Sequence, residues 1–157
     1  MAETPRMILV MRHAEKPADP NDANLAPAGQ TRAAALADYI PRAFGAPDFI
    51  FAAAASIRSD RPLQTVQPLA QRINVTVDAS IADIDYQKLA DRLLTHGRYA
   101  NKRILMCWRH GHIPALMQAL GAPSGTFPDR WDLAVFDLIL KMEFGDQVTV
   151  TKVKEPF

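Results

Sequence analysis

Two of the four histidines follow an arginine just beyond an apolar run. Met7 to Met11 leads into Arg12-His13, and Arg103 to Trp108 leads into Arg109-His110-Gly111. A third basic position, Arg61, stands between Ser59-Asp60 and Pro62. One Arg-His pair at a strand end is ordinary loop composition. Two imidazoles and several guanidiniums on one rim have no obvious structural use, and the chemistry they share is the binding of a dianion. Arginine offers phosphate oxygens a planar fork of donors and keeps its charge. A helix start adds N–H donors for the same anion, and the segment containing Arg61 opens one.

These residues meet only if the elements between them bring them to one edge. Met7 to Met11 (MILVM) is continuously apolar, as in a strand buried on both faces. A turn-rich stretch, Pro17 to Pro27, follows, with Asp19-Pro20-Asn21-Asp22 at its centre. From Pro27 the pattern is helical: Ala33, Leu36, Ala37 and Ile40 keep the i, i+3, i+4, i+7 spacing up to a stop at Pro41/Gly45. Asp48-Phe49-Ile50-Phe51 begins a second buried strand. Ser59 or Asp60 can cap the next helix, with Pro62 in its first turn, Leu63, Val66, Ala70 and Ile73 on one face, and a kink expected at Pro68.

Asn74 to Val77 is a third strand, and Tyr86, Leu89, Ala90, Leu93 and Leu94 mark a helix that ends near His96-Gly97. Arg103 to Trp108 is a fourth strand. A short helix bearing Ile113, Leu116, Met117 and Leu120 then runs to Gly121. Leu133 to Phe144 and Gln147 to Val153 alternate around Gly145-Asp146 as a closing hairpin. Strands alternating with helices predict an α/β class, a three-layer α/β/α sandwich whose mostly parallel sheet carries an antiparallel edge hairpin. Sites in such folds lie beyond the carboxyl ends of the strands, where His13 and His110 fall.

The chain has 157 residues and a net charge of +1, 48% of it is hydrophobic and 22% charged. That is the size of one domain, residues 1–157, with globular composition and a core that needs no staples. The single cysteine, Cys107, excludes an internal disulfide framework and a cysteine-rich zinc module. Scattered, balanced charge predicts neither a nucleic-acid surface nor a membrane surface. Met1 to Pro5 lacks the basic segment and apolar stretch of a secretory signal, so a cytoplasmic protein is expected.

The motifs, taken in order, resemble the histidine phosphatase superfamily, which also contains the cofactor-dependent phosphoglycerate mutases. They are Met7-Ile8-Leu9-Val10-Met11-Arg12-His13-Ala14-Glu15, Leu25-Ala26-Pro27-Ala28-Gly29 opening a helix, Arg61-Pro62-Leu63-Gln64-Thr65 after strand two, and His110-Gly111 after strand four. The resemblance spans nearly the whole chain. It implies the phosphoglycerate mutase-like fold, a nucleophilic His13, and a phosphate pocket completed by Arg12, Arg61 and His110, with no metal and no cofactor. Neutral His13 would attack phosphorus through one ring nitrogen while a backbone carbonyl holds the other N–H, and water would release the phosphohistidine. Arg12 and Arg61 should lower the His13 pKa. Donors aimed at the phosphoryl oxygens are worth about 3 kcal/mol each in such transfers.

The acid that protonates the leaving group varies within this family. Asp83 lies where mutase-like members place their glutamate and is the first choice. Asp85 is the second, with capping of the helix at Tyr86 as its competing role. Glu15 is the third and a further substrate-binding candidate, unless its carboxylate only balances Arg12 or Lys16. Three departures stand out. Ala14 replaces the usual glycine, which predicts a right-handed or extended backbone there. Ile57 replaces a serine, with Ser56 and Ser59 nearby and Arg58 as a rival for the pocket. Arg109 and His112 flank His110, and strand alternation would aim both away from it.

The functional expectation is a hydrolase of phosphomonoesters or phosphoproteins. The alternatives are a degenerate module that only binds phosphorylated ligands, a mutase-type phosphotransferase, and a zinc site of His13, His110 and His112, against which the arginines argue. A mutase needs lids, and this chain has only Asp78 to Lys102 to spare, so the pocket should be open to solvent. Trp108, Phe127 and Trp131 could wall it, with burial in the core the better expectation for Trp108.

Overall fold

The computed structural model describes residues 4–157; Met1, Ala2 and Glu3, on which the signal-sequence reading partly rests, lie outside the described residues. Its strands and helices are β1 (Met7–Arg12), α1 (Pro27–Phe44), β2 (Phe49–Ala52), α2 (Arg61–Ile73), β3 (Val77–Asp78), α3 (Tyr86–Thr95), β4 (Arg103–Trp108), α4 (Ile113–Ala119), β5 (Leu138–Phe144) and β6 (Val148–Lys154). They form one six-stranded sheet in the order β3-β2-β4-β1-β5-β6. The first four strands in that order are parallel, and β5 and β6 add an antiparallel hairpin beside β1.

Every residue of β1 is buried, as its unbroken apolar run requires of a central strand. Its side chains alternate between two cores. Met7, Leu9 and Met11 pack with Leu36, Ile40, Val66 and Leu69 of α1 and α2. Ile8 and Val10 pack with Leu89 and Leu93 of α3 and Leu116 and Met117 of α4. A period of 2 in the strand thus meets two helical stripes of period 3.6, which produces three layers. Arg12 is level with Trp108 in the β1–β4 ladder, so the residues that follow each strand leave the sheet side by side.

Several expected boundaries shift, each for a visible reason. Asn74 adopts a left-handed conformation at the end of α2 and returns its N–H to the Ala70 carbonyl, which leaves β3 only Val77–Asp78. β5 starts at Leu138, not Leu133, because the backbone carbonyls of Leu133 and Val135 turn to Arg12. α1 runs past Pro41 to Phe44, and Gly45, at φ 85°, closes it with an N–H to the Pro41 carbonyl. α2 continues through Pro68. Asp60 and Asp85 stand at the caps of α2 and α3, yet neither carboxylate makes a capping bond; the Ser59 hydroxyl accepts the Arg61 N–H at 3.3 Å.

Candidate active site

The end of β1 is locked from two sides, by α2 and by the start of α1. The Ala14 N–H donates to the Thr65 hydroxyl of α2 at 2.9 Å, and that hydroxyl donates to the Arg61 carbonyl at 2.8 Å. The Glu15 carbonyl accepts the Ala26 N–H at 2.9 Å, which brings the start of α1 against the same turn. Gly29 makes this approach possible: a Cβ there would collide with the Glu15 carbonyl oxygen and lie 3.0 Å from its nitrogen. That is the physical content of the glycine in Leu25-Ala26-Pro27-Ala28-Gly29. Ala14 is fully buried, and only Asn74 and Asn101 among the described non-glycine residues have positive φ, so alanine fits without strain.

His13 is 3% exposed, with Nδ1 2.7 Å from the Ala14 carbonyl oxygen. A carbonyl only accepts, so Nδ1 carries the proton and Nε2 the lone pair. Burial, followed by the charges of Arg12, Arg61 and His110, pushes the His13 pKa down to about 3, although the bond to Ala14 acts in the opposite direction. The ring is therefore neutral at physiological pH. The arginines contribute as their positions in the sequence predict, but desolvation is the larger effect.

Arg12 is 2% exposed. Its Nη1 donates to the carbonyls of Leu133 at 2.8 Å and Val135 at 3.3 Å, and its guanidinium lies 3.9 Å from the Phe136 ring centroid. Phe136 also reaches His13, at 6.3 Å between ring centroids. Arg61, at the first position of α2, gives Nη1 to the Asp22 carbonyl at 2.7 Å, so the turn-rich segment before α1 orients it. Arg12 Nε and Nη2 and Arg61 Nε are buried and have no hydrogen-bond partner among the described residues. Burial and Arg61 bring Arg12 down to about 10, and burial and Arg109 lower Arg61, so both remain cations near neutral pH. Buried cationic N–H groups without an acceptor are costly, and an oxyanion is the partner that would satisfy them.

His110 joins this group from the turn after β4. Burial, then the charges of Arg12, Lys16 and Arg109, lowers its pKa, against the pull of Asp83. Arg109, which alternation would aim away, is thus close enough for its charge to act on His110 and on Arg61. Alternation ends at Trp108, because His110–His112 form a 3-10 turn. His112 does turn aside, onto the Asp83 carboxylate, and among the described residues no three His, Cys, Asp or Glu side chains group as a metal site.

The three acid candidates separate. Asp83 lies within electrostatic reach of His110, and its Oδ1 is buried without a partner among the described residues. Asp85 is exposed. Glu15 is gripped by Arg32, through Nε at 2.9 Å and Nη2 at 3.1 Å, so both of its carboxylate oxygens are engaged, while its charge still favours the Arg12 cation. Arg32 also holds the buried Glu155 at 2.8 Å. Arg58 and Ile57 are exposed.

Trp108 and Trp131 are both buried in the core. His13 and Arg12 are more deeply buried than the compact chain suggested, since residues 133–136 fold over Arg12. A groove of about 610 Å³ begins at His110 and runs between Pro114 and Ala115 of α4 and the loop bearing Asp129, Arg130 and Asp132. Among the described residues no helix is long and apolar enough to cross a membrane. Thr65 lies in a motif without a role assigned by the sequence, and Phe136 and Arg32 leave no mark there; only the position of Thr65, one helical turn after Arg61, offers a signal.

A four-strand parallel core, a flanking antiparallel hairpin and helices on both faces form the phosphoglycerate mutase-like fold of the histidine phosphatases. No family model and no curated protein sequence matches the chain. Solved structures do. The chain is similar to the protein histidine phosphatase SixA complexed with tungstate, at TM-score 0.66 and 13% identity over 94% of this chain and 96% of that one. It is also similar to mycobacterial glucosyl-3-phosphoglycerate phosphatase, at 0.63 and 13% over 96% and 98%, and to phosphoglycerate mutase from Plasmodium falciparum, at 0.56 and 11% over 98% and 91%. At such identities the likeness is one of fold, and it is shared by phosphatases and a mutase alike.

Proposed function

We propose that this protein is a phosphatase of the histidine phosphatase superfamily, which hydrolyses a phosphorylated small molecule or phosphoprotein through a phosphohistidine on His13. One observation carries the proposal: a neutral imidazole with its Nε2 lone pair free stands beside buried guanidinium donors of Arg12 and Arg61 that have no acceptor among the described residues. That combination suits a nucleophile and a phosphoryl group, and a structural role leaves it unexplained. The phosphatase activities named for two of the similar structures support the same direction.

In this mechanism the dianion is held by Arg12 Nε and Nη2, Arg61 Nε and His110. His13 Nε2 attacks phosphorus, the bond to the leaving oxygen breaks, and Asp83 gives that oxygen a proton. The Ala14 carbonyl stabilises the Nδ1–H as positive charge develops on the ring. Water then attacks the phosphohistidine and returns a proton to Asp83. Phosphate leaves, and His13 is neutral again. The arginines counter the equatorial oxygens' charge in both steps, work that other phosphoryl-transfer sites give to a metal.

The test is hydrolysis of p-nitrophenyl phosphate in excess chelator. Turnover is expected to survive chelation and to fall by at least about 10³-fold in His13→Ala, the scale of losing a nucleophile. Phosphate binding without turnover in the wild type would instead establish a binding module.

A further inference from the structure

Asp83 is joined to a residue outside the motifs that mark the phosphate pocket. His112 sets Nδ1 against Asp83 Oδ2, and Tyr86 stacks on the His112 ring at 5.6 Å between centroids and 26° between planes. The Asp83 carbonyl accepts the Trp108 indole N–H at 2.9 Å, so backbone and carboxylate are both fixed. One carboxylate oxygen is thereby occupied. The other, Oδ1, is buried and unpartnered among the described residues, within reach of His110. The Asp83 side chain is 13% exposed and the His112 side chain 37%.

Resting on the phosphatase reading, we propose that His112 is the positioning residue of the general acid. Its Nδ1–H donates to Asp83 Oδ2 throughout the cycle, which leaves Oδ1 as the oxygen that carries the transferable proton. When the leaving oxygen separates from phosphorus, the Oδ1–H bond breaks and the proton passes to that oxygen. Asp83 becomes a carboxylate whose Oδ2 keeps the His112 donor. When water attacks the phosphohistidine, its proton reforms Oδ1–H. His112 changes neither charge nor tautomer; it selects which oxygen is the acid and eases the carboxylate's formation. Without it the carboxyl can turn on its side-chain bond and present the wrong oxygen. A residue that acts through the acid matters most where the leaving group needs a proton most.

The experiment compares wild type, His112→Ala and His112→Asn on phenyl phosphate, whose leaving group is a poor anion, and p-nitrophenyl phosphate, whose leaving group is a good one. In His112→Ala the loss of kcat on phenyl phosphate is expected to exceed that on p-nitrophenyl phosphate by about tenfold or more, within the range general acids supply. His112→Asn, whose amide can still donate to Oδ2, is expected to recover most of the difference. Equal losses on both substrates, which a folding defect would give, or no loss on phenyl phosphate, would overturn the inference while leaving the phosphatase intact. Wild type that turns over neither substrate would overturn the phosphatase reading itself.

Discussion

Thr65 and Ala14, 51 residues apart in sequence, share a 2.9 Å hydrogen bond that couples the first turns of α2 to the backbone behind His13. Because the same hydroxyl bonds the Arg61 carbonyl, one small side chain sets the separation between the proposed nucleophile and an arginine of its pocket. Thr65→Val keeps the shape and removes the acceptor. The buried Ala14 N–H is then unsatisfied, at a cost of about 1–3 kcal/mol. Urea unfolding should show that loss, together with a raised inhibition constant for inorganic phosphate. Unchanged inhibition would mean that Thr65 does not set the pocket.

Gly29 gives a second, steric test. Its Cβ position is filled by the Glu15 backbone, which cannot move without displacing the His13-Ala14 turn. Gly29→Ala should therefore destabilise the fold by about 1–3 kcal/mol, the usual cost of overpacking, and lower kcat/KM. Gly111, which has nothing within 4 Å of its Cβ position, is the control: Gly111→Ala meets no such clash. Equal stability losses for the two variants would contradict the steric account.

The depressed His13 pKa fixes the sign of a pH effect. The unfolded chain binds a proton at this position near the ordinary 6.5, whereas the folded chain resists until about 3. Stability contributed by neutral His13 is therefore complete above about pH 6.5 and lost as the pH falls towards 3. His13→Gln removes this dependence. Denaturation curves collected across that window should converge for the two proteins at its acid end, and parallel curves would be evidence against a buried neutral imidazole.

Glu155 has the opposite sign. Burial raises its carboxyl to about 7, against the Arg32 guanidinium, which favours the ionised form. A raised acid contributes stability that is complete below about 4.5 and lost as the pH rises through about 7. Glu155→Gln should flatten that decline, measured by unfolding from pH 4 to pH 8. A variant that loses stability with pH as steeply as wild type would place the decline elsewhere.

Legibility in the sequence followed the range of the interactions. β4 and all but the last residue of β1 could be read because burial on both faces leaves an unbroken apolar run, a property of the strand itself. The helices could be read from their stripes. β3 and the start of β5 could not, since Asn74 was claimed by the cap of α2 and the carbonyls of Leu133 and Val135 by Arg12, more than 120 residues away. The basic residues of the site were named from their positions at strand ends. The pairs that hold the neighbouring side chains were not: Arg32 on Glu15, Phe136 on Arg12 and His112 on Asp83 are long-range contacts that leave no local pattern.

The central claim is that phosphorus becomes bonded to His13. Rapid acid-free quench of wild type with a ³²P-labelled aryl phosphate, followed by peptide mapping, should yield acid-labile, alkali-stable label on the peptide containing His13, and none in His13→Ala. Label that persists in His13→Ala, or a wild type that turns over many times without ever carrying label, would contradict it.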